Sequence, residues 1–132
     1  MLEKYLEQLV NELELEPVVL RGDIYTLLLG EDLKLELVSL SPGLMIYSPI
    51  CICPENNREV LFMYLMKANF MGLSTGGSAI GLDKEEKYLT LSQVITYDIN
   101  YRKFKELIED FANYLDLWKE EIARIDKSEA IL

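Results

Sequence analysis

The sequence predicts an α+β fold: a single domain, ordered α-βββ-α-ββ-α, with a twisted antiparallel sheet flanked by helices. Three observations predict it. Apolar residues recur at helical spacing at both ends of the chain, and an apolar stretch of helical length lies in the middle. The stretches between those segments read as strands. The strand-like runs are joined by connections too short for the crossovers that parallel strands require. The 132 residues suit one domain, 1–132, with residues 126–132 lacking periodicity and expected as a tail.

Leu2, Tyr5, Leu6, Leu9, Val10 and Leu13 share one helical face, and Pro17 closes that helix by excluding the residue before it from helical geometry. Ile24 to Leu29 is an apolar run between Gly22 and Gly30. Leu33, Leu35 and Leu37 alternate with Lys34 and Glu36, the period of a half-buried strand. After the turn signal Ser41-Pro42-Gly43, the run Leu44 to Cys53 reads as a strand stopped by Pro54. The second helix begins near Asn56 or Asn57, with Asn56 and Glu59 at capping-box spacing, and runs through Met71. It is apolar nearly all the way round, which in a soluble protein means cover on both sides. One sheet covers one side, so a partner chain is expected on the other. Gly72 and the Gly76-Gly77 pair make a loop, followed by a hairpin of Ala79 to Leu82 and Tyr88 to Tyr97. The last helix starts around Asp98 to Asn100, with Phe104, Leu107, Ile108, Phe111, Leu115, Trp118, Ile122 and Ile125 as its stripe.

Composition excludes more chemistry than it suggests. Half of the residues are apolar, so a core can form. Twenty-three acidic residues against 13 basic ones give a formal charge of −10, which disfavours binding to nucleic acid or to an anionic membrane surface. The chain has no histidine, which removes Ser-His-Asp triads, Cys-His dyads and His-ligated zinc together. No apolar run approaches the roughly 18–20 residues of a membrane span. Residues 1–7 carry charge every few positions without an apolar stretch, so no secretory signal is expected and the protein reads as cytoplasmic.

Cys51 and Cys53 share a strand face, but zinc needs four ligands and no further Cys or His exists, so both read as core thiols. The stretch 72–78 is superficially like a phosphate-binding loop. It places Ser78 where the lysine should stand and follows a helix where a strand is required, so it reads as a connection. The carboxylate pairs Glu85-Glu86 and Glu120-Glu121 read as solvated surface. Met63, Met66 and Met71 admit two readings, core filling or an adaptable interaction surface. Phe111 and Trp118 read as core anchors.

The ordered set Leu65-Met66-Lys67-Ala68-Asn69, Gly76-Gly77, Ile80-Gly81-Leu82-Asp83 and Leu89-Thr90-Leu91, with Phe111 and Trp118 on the last helix, resembles the class I type III secretion chaperones, the Tir chaperone family. That family shows a leucine-rich helix ending in xAN, a short gap, GLD, an acidic turn and a strand carrying LxL. A final helix with a phenylalanine and then a tryptophan completes it. Residues 1–60 match by architecture. The resemblance implies a bacterial cytoplasmic homodimer, with a heterodimer of related chaperones left open, that keeps an extended segment of a secreted effector soluble and secretion-competent. It implies no catalysis and no ATP; no cofactor, metal, nucleic-acid partner or membrane insertion is expected. The implied dimer interface is the second helix and the strand after it: Phe62, Met63, Met66, Phe70, Met71, Ile80 and Leu82. The implied client groove lies on the first helix and first strands: Leu2, Tyr5, Leu6, Leu9, Ile24 and Leu28. Client strands would add to sheet edges and insert apolar side chains, and the acidic surface would attract basic client segments.

Two other functions stand beside this one. A regulatory module of the same fold would sequester a transcription regulator or a secretion-gate protein and would show a folded partner. An enzyme working through Asp and Glu, with Mg²⁺, would show a cleft of converging carboxylates.

Overall fold

A computed structural model describes residues 1–72 and 75–127. Along the chain run α1 (Leu2–Leu13), β1 (Val19–Arg21), β2 (Ile24–Leu29), β3 (Leu33–Ser39), β4 (Leu44–Ile52), α2 (Arg58–Ala68), a 3₁₀ turn (Phe70–Gly72), β5 (Ala79–Leu82), β6 (Tyr88–Ile95) and α3 (Tyr101–Lys127). The strands form one six-stranded antiparallel sheet in the order β1-β2-β3-β4-β6-β5. This is the expected α+β architecture with one added strand. β1 has three residues between Pro17 and Gly22, too few to show a period, and is defined by its ladder to β2: Val19 opposite Thr26, Leu20 opposite Tyr25, Arg21 opposite Ile24.

Two compact units divide the chain: Met1–Ser48 with Gln93–Glu109, and Pro49–Ser92 with the chain from Asp110. In the first, α1 presents Leu2, Leu6 and Leu9 to the interior, and all three are buried. The sheet contributes Leu27, Leu35, Leu37, Leu44 and Ile46, and register explains why these five. Leu27 lies opposite Leu35 and Leu37 opposite Ile46, so strand alternation puts them on one face. The start of α3 adds Phe104 and Ile108. Tyr5 ties the layers, with its ring 5.5 Å from Phe104 and 5.8 Å from Tyr101. Ser48, buried within β4, donates its hydroxyl to the Lys34 carbonyl at 2.8 Å, beyond the last β3–β4 pair at Glu36 and Tyr47. Gly43 has φ +101°, and a Cβ there would stand 1.8 Å from the Ile95 carbonyl oxygen, so only glycine fits.

In the second unit, Leu61, Leu65 and Ala68 of α2, Ile80 of β5, Leu89 and Leu91 of β6, and Phe111, Leu115, Trp118 and Ile122 of α3 are buried. The Tyr64 hydroxyl donates to Glu121 Oε1 at 2.9 Å, its ring meets Trp118 edge-on at 5.9 Å, and Arg124 pairs with Glu121. Asp83 Oδ1 accepts the amides of Lys87 and Tyr88 and shapes the acidic hairpin turn.

Several element ends differ from expectation. α1 stops at Leu13, well before Pro17, because Glu14 takes the left-handed conformation and the Leu15 amide bonds the Val10 carbonyl at 2.9 Å. α2 starts from Asn57 in left-handed geometry with no side-chain cap bond, so the Asn56–Glu59 box does not form. It ends at Ala68, not Met71: Met71 has φ +53°, outside helical geometry. β4 stops at Ile52 and β6 at Ile95, short of Cys53 and Tyr97. α3 begins as expected, with Asn100 Oδ1 accepting the Lys103 amide at 2.8 Å. It continues through Asp126 and Lys127, the first two residues of the expected tail; the remaining positions of that stretch, 128–132, and residues 73–74 of the glycine-rich loop lie outside the described residues.

Candidate functional site

Each unit leaves an apolar surface uncovered among the described residues. In the first unit a groove of about 460 Å³ runs between α1 and the β1–β2 ribbon. Its apolar lining is Leu6, Val10, Pro17, Val18, Leu20 and Tyr25, and Glu3, Glu7 and Asn11 stand along the helix side. The pairing of Leu20 with Tyr25 brings the two strands' inward residues together on that floor. Beside it, all three residues of β1 are exposed on a terminal strand of the sheet.

The six residues assigned to the client groove separate here. Leu6 lines the groove, although only 1% of it is exposed. Leu2 and Leu9 are core. Leu2 and Tyr5 line a different cavity of about 450 Å³ with Met1, the Ser39–Leu44 turn, Asp98 and Ile99. Ile24 and Leu28 are exposed, and alternation places them on the sheet face opposite Tyr25 and Leu27. Val10, Val18, Leu20 and Tyr25 complete the groove without having been singled out. The available signal was the apolar pair Val18-Leu20 after Pro17.

The second surface lies on α2, the following turn and β5. Met63, Met66, Phe70 and Met71 are 57%, 73%, 65% and 80% exposed, beside partly exposed Val60, Tyr64 and Leu82. Phe62 is half-buried and Ile80 buried. Phe62, Leu65, Met66, Asn69, Ile80 and Leu82 line an open cleft of about 230 Å³ on this face. Leu61, Leu65 and Ala68 point inward, so α2 buries one side and leaves the other apolar and uncovered. The seven residues assigned to a dimer interface therefore share one region of the second unit.

The ionisable groups act as structural ties. Lys105 bonds Glu12 at 3.0 Å and holds its carboxyl below the usual range. Arg124 and then Tyr64 do the same for Glu121, and the Glu121 carboxylate in turn raises the Tyr64 phenol. Burial first, and then the nearby Glu12 carboxylate, pushes the Tyr101 phenol up to about 12. Burial raises both thiols, Cys51 and Cys53, above the ordinary cysteine range. Among the described residues, no group of three or more His, Cys, Asp or Glu could hold a metal ion, and no helix is long and apolar enough to cross a membrane.

The profile of the Tir chaperone protein (CesT) family matches residues 4–119. The chain belongs to that family. The resemblance read over Leu65 to Ile125 is thus borne out, and the match, ending at residue 119, extends back over α1 and the first strands. The chain is 32% identical over 65 residues to a Chlamydia pneumoniae protein, a match spanning 49% of each. The chain thus covers about half the length of that relative. Its fold is that of ExsC in the ExsC–ExsE complex, with a TM-score of 0.73 at 14% identity, covering 90% of this chain and 91% of that one. The HopA1–SchA chaperone–effector complex gives a TM-score of 0.71 at 16% identity, with 90% and 93% covered. YbjN from E. coli follows at 0.64 and 9% identity, with 92% and 90% covered.

Proposed function

We propose that this protein is a dimeric, ATP-independent chaperone of the bacterial cytoplasm that binds an extended N-terminal segment of a secreted effector and keeps it soluble and ready for secretion. One observation carries the reading: an apolar groove between α1 and β1–β2 lies beside an exposed terminal strand, so one extended segment can pair its backbone with β1 while its apolar side chains enter the groove. Glu3 and Glu7 beside that groove favour clients with basic residues next to the anchors. The uncovered side of α2 is read as the dimer face, with Met63, Met66, Phe70, Met71 and Leu82 meeting a second copy or a related chaperone. No catalysis, cofactor or metal enters this function.

A regulatory module that sequesters a transcription regulator or secretion-gate protein is the second reading. The likeness to ExsC in complex with ExsE favours keeping it.

Co-purification of the tagged full chain from its host, followed by limited proteolysis, tests both. The chaperone reading expects a secreted partner whose N-terminal segment resists protease only in the complex. A partner equally resistant alone supports the regulatory reading and overturns the first. For the dimer face, Met66→Glu with Phe70→Glu should yield monomer by light scattering, because charge would enter a dry interface. A wild-type chain that is monomeric at micromolar concentration would overturn the dimer.

A further inference from the structure

The sheet ends in two terminal strands, β1 and β5, and they are finished differently. In an antiparallel strand, the N–H and C=O of alternate residues point the same way. Ala79 and Gly81 lie opposite Ser92 and Thr90 of β6. Ile80 turns its main-chain groups outward, and the Asn69 carboxamide takes both of them. Asn69 Oδ1 accepts the Ile80 amide at 2.7 Å, and Asn69 Nδ2 donates to the Ile80 carbonyl at 2.8 Å. Two residues earlier, in the same phase, the Ser78 amide bonds the Thr75 carbonyl at 3.1 Å and the Ser78 carbonyl accepts the Thr75 hydroxyl. Thr75 and Ser78 are buried. The loop that reads in sequence as a glycine-rich connection therefore delivers main-chain and side-chain partners to an edge.

We propose that Asn69 and Thr75 form an edge cap that closes β5 to strand addition, so that an extended partner chain pairs with the sheet at β1 while the α2–β5 face is joined through side chains. An uncapped terminal strand displays a row of donors and acceptors that any extended chain can pair with. Along this edge the main-chain groups of Ile80 in β5 and of Ser78 just before it are already bonded, and an incoming strand would have to break four hydrogen bonds to form its own there. A two-toothed carboxamide reproduces the donor–acceptor pair of one residue of a neighbouring strand and then stops. Asn69 is thus a positioning residue: from the end of α2 it holds β5, and with it the cleft that Met66 and Leu82 line.

The existence of an extended partner rests on the function proposed above; the closing of β5 does not. Amide hydrogen exchange of the full chain, wild type against Asn69→Ala, separates the two. The Ile80 amide should exchange about tenfold faster in the variant, while Ala79 and Gly81, turned toward β6, keep wild-type rates. Equal rates at Ile80, or loss of protection at all three amides together, would overturn the cap, the second outcome because Asn69 would then hold the fold and not the edge. An effector segment recovered from the complex, titrated by calorimetry, should bind one per wild-type chain and exceed one per chain in Asn69→Ala. Stoichiometry above one for the wild type would show β5 open and overturn the proposal. Absence of binding alongside a tenfold change at Ile80 would fail the chaperone reading and leave the cap standing.

Discussion

The Tyr5 hydroxyl donates to the Ile99 carbonyl at 2.9 Å, 94 residues away in the chain. It fastens the first turn of α1 to the residues leading into α3 and closes one wall of the cavity lined by Leu2 and the Ser39–Leu44 turn. Tyr5→Phe should cost about 1 kcal/mol, the usual net worth of such a bond, while Tyr5→Ala should cost about 3 kcal/mol or more because the ring contacts with Phe104 and Tyr101 are lost too. Urea denaturation of both variants checks the difference.

The groove separates two leucines that look alike in sequence. Leu20 is 53% exposed and Leu6 is 1% exposed. Leu20→Asp should leave circular dichroism and the melting temperature near wild type and weaken client binding at least about tenfold, since anchor residues carry most of such affinity. Leu6→Asp should unfold the chain, because it buries an unpaired carboxylate. Raising salt from about 0.05 to 0.5 M should weaken the wild-type complex only modestly if anchors dominate over Glu3 and Glu7. Normal binding by folded Leu20→Asp would remove the groove from the client surface.

Tyr101 sets an alkaline limit. Its hydroxyl is buried near the Glu12 carboxylate, and its pKa stands at about 12 against an ordinary value of 10.0. A phenol whose folded pKa is raised contributes stability in full below pH 10 and loses it as pH climbs from 10 toward 12. Denaturation midpoints should therefore fall across that window, less steeply in Tyr101→Phe.

How much of this was legible follows from pattern length. α1 repeats its apolar spacing over three turns, and its inward residues Leu2, Leu6 and Leu9 could be read directly. β3 alternates Leu35 and Leu37 with charge, so its face was legible as well. β2 is apolar at every position but Thr26, so nothing in Ile24–Leu29 says which residues face α1; only pairing to Leu35 and Leu37 selects Leu27 and Tyr25 over Leu28 and Ile24. β1 is too short for any period. The bonds of Asn69 to Ile80 span 11 residues and have no spacing signature, so the role of the asparagine that ends the family's xAN motif emerges only in three dimensions.

The thiols should be quiet. Cys53 is buried, with its sulfur 3.7 Å from the Pro54 carbonyl, and Cys51 is half-buried; burial raises both above 9.0, so little thiolate forms at neutral pH. Iodoacetamide should alkylate the folded chain more slowly than a small-molecule thiol at pH 7.5, with Cys53 slower than Cys51. Fast modification of Cys53 in folded protein would show that its strand end opens.

A sheet sealed at one end also behaves as a terminator. Growth without limit needs a unit with two compatible ends, since a head-to-tail contact that does not close on itself runs on into a fibre. A chain with β1 available and β5 filled has main-chain valence one: it can complete a ladder but cannot pass it on. Two such chains that met edge to edge would satisfy each other and stop. Crowding would then raise the fraction of finished complexes and leave their length unchanged.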